Sequence, residues 1–132
     1  MFDIIKNYMK KAKEEASREF VIPSKEQGWI GIDLDGTLAF HAAGSPMIKI
    51  GDPVPAMLTR VKKMIDKGYR VKIFTARAQD SEQILLIRKW LLKNGLPPLE
   101  ITNIKDYNMI KLFDDRAVQV EPNTGKLILP KE

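Results

Sequence analysis

Two short apolar runs, Trp29-Ile30-Gly31-Ile32 and Val71-Lys72-Ile73-Phe74, bracket a helical pattern, and that order constrains the fold more tightly than any other feature of the chain. Runs of this length fit buried strands. The pattern between them opens at Pro55 and continues through Met57, Leu58, Val61, Met64 and Ile65 at steps of three and four. It ends at Lys67-Gly68, where glycine suits the left-handed turn at a helix C-terminus. A further helix is predicted after the second run, capped by Ser81, carrying Ile84, Leu85, Ile87, Leu91 and Leu92, and ending at Asn94-Gly95 ahead of Pro97-Pro98. Repeated strand-helix-strand order implies a parallel sheet with right-handed crossovers.

Two more strands are expected over 99–104 and 110–113. A hairpin pairs Ala117-Val118-Gln119-Val120 with Lys126-Leu127-Ile128-Leu129 around Pro122-Asn123-Thr124-Gly125. Ahead of the first strand, Phe2, Ile5, Tyr8, Ala12, Ala16 and Phe20 recur at helical spacing. This predicts an amphipathic helix that packs on the domain or on a second copy of the chain, so a homo-oligomer formed through it is one expectation. Pro23, Ser24 and Gly28 end the pattern.

The 132 residues fit one domain, 1–132, with 1–27 as N-terminal helix and linker. Absence of cysteine excludes disulfides, thiolate metal sites and thiol catalysis, and suits a reducing cytoplasm. No stretch approaches the ~20 apolar residues of a membrane span, so a cytoplasmic protein without a membrane partner is expected. Lys and Arg outnumber Asp and Glu by 22 to 17, a net charge of +5 that would attract phosphorylated or polyanionic partners. Many of these cations fall on helical faces, where solvation alone explains them.

The apolar runs end in polar groups. Asp33 and Asp35 close the first; alternate side chains of a strand share a face, so both carboxylates can enter one site. Gly36 lets the backbone turn tightly beside a ligand. Two unpaired carboxylates there repel each other and lose hydration, which calls for a bound cation or a protonated partner. Oxygen-only ligands point to magnesium. Asp114 and Asp115 close Ile110-Lys111-Leu112-Phe113 in the same way, and Thr75 closes the second run with Arg77 two residues beyond. Open parallel sheets collect functional groups at the carboxyl ends of their strands, so three strands deliver polar groups to one edge. Taken singly, each has an ordinary explanation: a solvated turn, a helix cap, a strand-end threonine.

In order, Asp33-Leu34-Asp35-Gly36-Thr37-Leu38, Phe74-Thr75-Ala76-Arg77 and Phe113-Asp114-Asp115-Arg116 resemble the motif set of haloacid dehalogenase superfamily phosphatases over about residues 29 to 120. The resemblance implies a Rossmann-like three-layer α/β sandwich and a magnesium-dependent phosphohydrolase acting on phosphomonoesters. It implies Asp33 as nucleophile and Asp35 as acid and base. Magnesium falls to Asp33, Asp114 and the backbone carbonyl of Asp35, with Asp115 adjoining. Thr75 would hydrogen-bond a phosphoryl oxygen, and Gly36, Thr37 and Ala76 would line the substrate. The cation that neutralises the phosphoryl group is Lys105 by motif order. Alternatively it is Arg77, because Thr75-Ala76-Arg77 resembles a motif of polynucleotide 3′-phosphatase domains. Lys105 carries a geometric difficulty: 105–109 is too short for a parallel crossover, which takes about a dozen residues. Either the strand over 99–104 is irregular or Lys105 lies away from the site.

Neither gap between motifs has room for a cap domain; only 39–54 remains as a short flap. An open site suits an extended substrate such as a nucleotide or nucleic-acid end, or a lid from another subunit. His41 and Lys49 in the flap could contact substrate but are read as solvated, and Met57, Met64, Phe74 and Trp90 as core. The competing reading is a catalytically weak protein that retains the site to bind phosphate or metal.

Overall fold

The computed structural model describes residues 2–17, 28–46 and 48–129. Helix α1 (Phe2–Ser17) precedes strand β1 (Trp29–Ile32), and α2 (Pro55–Asp66) leads to β2 (Arg70–Phe74). Helix α3 (Ser81–Lys93) joins β2 to β3 (Glu100–Thr102), and β4 (Met109–Phe113) follows. These strands form one parallel sheet in the order β3-β2-β1-β4. A separate antiparallel pair, β5 (Gln119–Val120) and β6 (Leu127–Ile128), closes the described chain. This is the expected α/β fold: a mainly parallel sheet, an N-terminal helix and a C-terminal hairpin.

Helix boundaries follow local chemistry. Pro55, whose fixed φ suits a first turn, starts α2, and Gly68 at φ 88° leaves it. The cap of α3 is Asp80 rather than Ser81, its carboxylate accepting from Glu82 N at 2.9 Å. Ser81 is the first helical residue.

Sheet parity separates two faces. In register, Ile30 lies beside Val71 and Ile32 beside Ile73, and all four pack with Val61 and Met64 of α2 and Ile87, Trp90 and Leu91 of α3. Both crossovers run the same way across the sheet, so both helices cover this one face. The intervening side chains, Trp29, Lys72 and Phe74, turn to the other face, where Lys72 Nζ sits 4.3 Å from the centre of the Trp29 ring.

A strap covers that second face in place of a helix. Strands β3 and β4 occupy opposite edges, and residues 103–108 return across the sheet between them. Asp106 accepts from the Trp29 indole at 2.8 Å, and Asn108 O accepts from Trp29 N at 2.9 Å. The sandwich's third layer is therefore thin, and the strand expected over 99–104 is cut to three residues so that the strap can form.

Arg60 of α2 ties α1 down through the Glu15 carboxylate at 2.9 Å and the Glu15 carbonyl at 2.8 Å. Ile4, Ile5, Tyr8 and Met9 of α1 are exposed. The predicted extension to Phe20, and the break at Pro23 and Ser24, lie outside the described residues. Among those described, no helix is long and apolar enough to cross a membrane.

The flap closes like a hairpin at its base: Ala39 bridges Pro53, Phe40 N donates to Asp52 O at 2.8 Å, and Val54 N to Leu38 O at 2.7 Å. Trp90 of α3 reaches it with Nε1 donating to Gly51 O at 2.8 Å.

Candidate functional site

Strand order reverses at β1: the chain builds outward through β2 and β3, then places β4 on the other side. Such a switch point opens a crevice beyond the carboxyl ends of the strands. Asp33 leaves β1 there with its backbone N donating to Phe113 O at 2.9 Å, which sets it beside Asp114 and Asp115 at the end of β4. Each of these three carboxylates offers an oxygen, and the three oxygens lie within 4.8 Å of one another.

Thr37 joins the two loops. Its Oγ1 accepts from Asp115 N at 3.0 Å and lies 3.0 Å from Asp115 Oδ1 and 3.3 Å from Asp33 Oδ2. One hydroxyl hydrogen serves one carboxylate at a time. Gly36 adopts φ 90°, and a Cβ there would stand 2.6 Å from Asp115 Oδ2. Asp115 can approach because this residue has no side chain.

The cluster is short of positive charge. Burial pushes Asp33 up to about 7, helped by its hydrogen bond to Asp115 and by the charges of Asp114 and Asp115, against a smaller downward pull from Thr37. Burial also pushes Asp115 upward, but the hydrogen bonds from Asp33 and Thr37 and the Arg116 charge outweigh it and hold the group below the usual range. Three carboxylate oxygens this close together form a donor set that a hard divalent metal ion can take.

Asp35 faces a different partner. Arg77 grips it with a fork, Nε to Oδ2 at 2.7 Å and Nη2 to Oδ1 at 2.9 Å. The guanidinium also donates through Nη1 to Gln83 Oε1 at 2.7 Å and through Nη2 to Lys49 O at 3.1 Å. Arg77 is 2% exposed. It binds Asp35, α3 and the flap together, and is not presented to a phosphate. Thr75, buried at the end of β2, accepts from Arg77 N at 3.2 Å and opens the single 3₁₀ turn Ala76–Gln79.

Asp33, Asp35, Thr75, Ala76, Arg77 and Asp114 all line one cleft of about 560 Å³. Gly36 and Thr37 shape its acidic corner from behind. Lys105 lies in the strap and does not line this cleft; it lines a second hollow along β4 with Met109 and Lys111, which shares Asp114 with the cleft.

Comparison with known protein families, with curated proteins and with solved structures finds no match to this chain.

Four residues of the cleft were not singled out for function by the sequence: Phe74, Gln79, Asn103 and Arg116. Phe74, expected in the core, sits on the strap face by strand parity and reaches the cleft. Asn103 follows β3, so the strand-end rule could have found it, and Arg116 directly follows the acid pair. Gln79 carried no signal. Of the flap residues, His41 lines the cleft with Nδ1 3.8 Å from Asp35 Oδ1, and Lys49 contributes through its backbone carbonyl.

Proposed function

We propose that the chain is a magnesium-dependent phosphohydrolase that cleaves phosphomonoesters through an aspartyl-phosphate on Asp33. The observation that carries this reading is the convergence of Asp33, Asp114 and Asp115 from two strands onto one metal-sized space beside Asp35. The individual roles come from the resemblance to haloacid dehalogenase superfamily phosphatases.

In this reading Asp33, Asp114 and Asp115, with the Asp35 carbonyl, hold magnesium, which when bound offsets the repulsion between an anionic nucleophile and an anionic substrate. An Asp33 oxygen attacks phosphorus while the ester bond to the leaving oxygen breaks, and Asp35 gives that oxygen its proton. Asp35 then takes a proton from the water that hydrolyses the aspartyl-phosphate, restoring both groups. The Thr75 hydroxyl hydrogen is available to a phosphoryl oxygen, since its oxygen already accepts from Arg77 N. Asp35 is paired as an anion with Arg77, so to act as the acid it must first be released by one Arg77 nitrogen and take up a proton from solvent. Nη2 makes the longer of the two bonds and also serves the flap, so flap movement and proton transfer are coupled in this scheme. The open cleft and the net charge of +5 favour a nucleotide or nucleic-acid end as substrate.

Asp33→Asn is expected to abolish magnesium-dependent phosphate release from an aryl phosphate while leaving the protein folded. Undiminished turnover by this variant overturns the mechanism. A panel of oligonucleotide ends, nucleotides and sugar phosphates tests the substrate class, which fails if only small sugar phosphates are turned over.

A second reading has one observation in its favour: both Asp35 oxygens are committed to Arg77. A protein that binds phosphate and metal without turnover needs no free acid. Magnesium-dependent phosphate binding by a wild type that hydrolyses nothing would select it.

A further inference from the structure

A phosphoryl group reaching Asp33 enters a cleft lined by three carboxylates, Asp33, Asp35 and Asp114, with Asp115 clustered on Asp33 and Asp114 beside it. Arg77 closes its fork on Asp35 and gives further donors to Gln83 and the flap. Lys105 faces the hollow along β4. The other arginine lining the cleft is Arg116.

Arg116 is built in at its backbone, and its charge bears on Asp115 without a hydrogen bond from its tip. Its N donates to Asp114 Oδ1 at 2.8 Å, anchoring the residue to a carboxylate of the acidic corner. The preceding residue, Asp115, is held by Thr37. The side chain is exposed at the cleft wall, and among the described residues its guanidinium makes no hydrogen bond or ion pair. Three carboxylates and one divalent ion still carry a net negative charge, which an incoming phosphoryl group increases, so a guanidinium beside them offsets the repulsion that group meets. Its planar fork also matches two phosphate oxygens, as a lysine ammonium does not.

We infer that Arg116 is the cation that binds the substrate's phosphoryl group, displacing both Lys105 and Arg77 from that role. The inference rests on the phosphohydrolase reading for its consequence in turnover, but its binding step can be measured without turnover.

The test is titration of inorganic phosphate into the magnesium-loaded full chain by calorimetry. Arg116→Ala and Arg116→Gln are expected to weaken phosphate binding by about tenfold or more, with Arg116→Lys in between. Magnesium affinity without phosphate should not fall, because Asp114 is bonded by the backbone of residue 116 and the lost charge repelled the ion. With an aryl phosphate, KM should rise in step with the phosphate inhibition constant. Unchanged phosphate affinity in Arg116→Ala overturns the inference, and if the wild type still turns over, the phosphohydrolase reading survives it. A wild type without turnover whose phosphate binding is lost in Arg116→Ala defeats the phosphohydrolase reading and leaves this one standing. No phosphate binding by the wild type overturns it outright.

Discussion

Gly36 shows how one residue sets the geometry of the acidic corner. Its φ of 90° disfavours any side chain, and the approach of Asp115 leaves no room for one. The left-handed conformation alone costs an L-residue about 1–2 kcal/mol. Gly36→Ala should therefore lower stability by at least that much in chemical denaturation and also weaken magnesium binding, because Asp115 must retreat. Unaltered magnesium affinity in the folded variant would show that Asp115 is not part of the metal corner. At this scale much was legible: Asp33, Asp35, Thr75 and Asp114 each follow an apolar run, and strand ends in a parallel sheet converge. The use of Arg77 was not legible. Its partner Asp35 is 42 positions away, and only the turn after β1 decides that the two face each other.

Among the elements, the flap is held by what lies beneath it. Its base is a hairpin, Trp90 holds Gly51, and Arg77 holds Lys49 while gripping Asp35, the carboxylate proposed as acid and base. Arg77→Lys keeps the charge but loses the fork, and removing the charge altogether would leave Asp35 without its counterion. The lysine variant is expected to lower kcat by about tenfold with little change in KM, and to speed amide exchange in the flap around residue 49. A rise in KM at constant kcat would instead make Arg77 a phosphate ligand. Sequence periodicity found α2, α3 and both core strands, because their apolar positions repeat at helix or strand spacing. It overestimated the third strand, since nothing local distinguishes residues that pair with β2 from those that turn away into the strap.

For the whole molecule, the uneven charge of the site links stability to pH and metal. Asp33 binds its proton more tightly folded, at about 7, than at its ordinary value of 3.8. The folded state therefore holds more protons than the unfolded one between these values, and this group's contribution is complete below pH ~4 and lost as pH rises through ~7. Without metal, Tm should be lower at pH 8 than at pH 5.5. Magnesium, replacing that proton, should raise Tm more at pH 8, and Asp33→Asn should flatten both responses. Equal magnesium shifts at the two pH values would count against Asp33 as a ligand. The sequence by itself determined the α/β order, the parallel sheet and the acids at its strand ends, because hydrophobic period and strand-end position are local properties. Only the tertiary structure decided how these parts were used. It put both helices on one face and a strap on the other, closed Arg77 onto Asp35, and left Arg116 at the cleft wall. Those outcomes depend on which distant segments share a neighbourhood, and that is set when the strands take the order β3-β2-β1-β4.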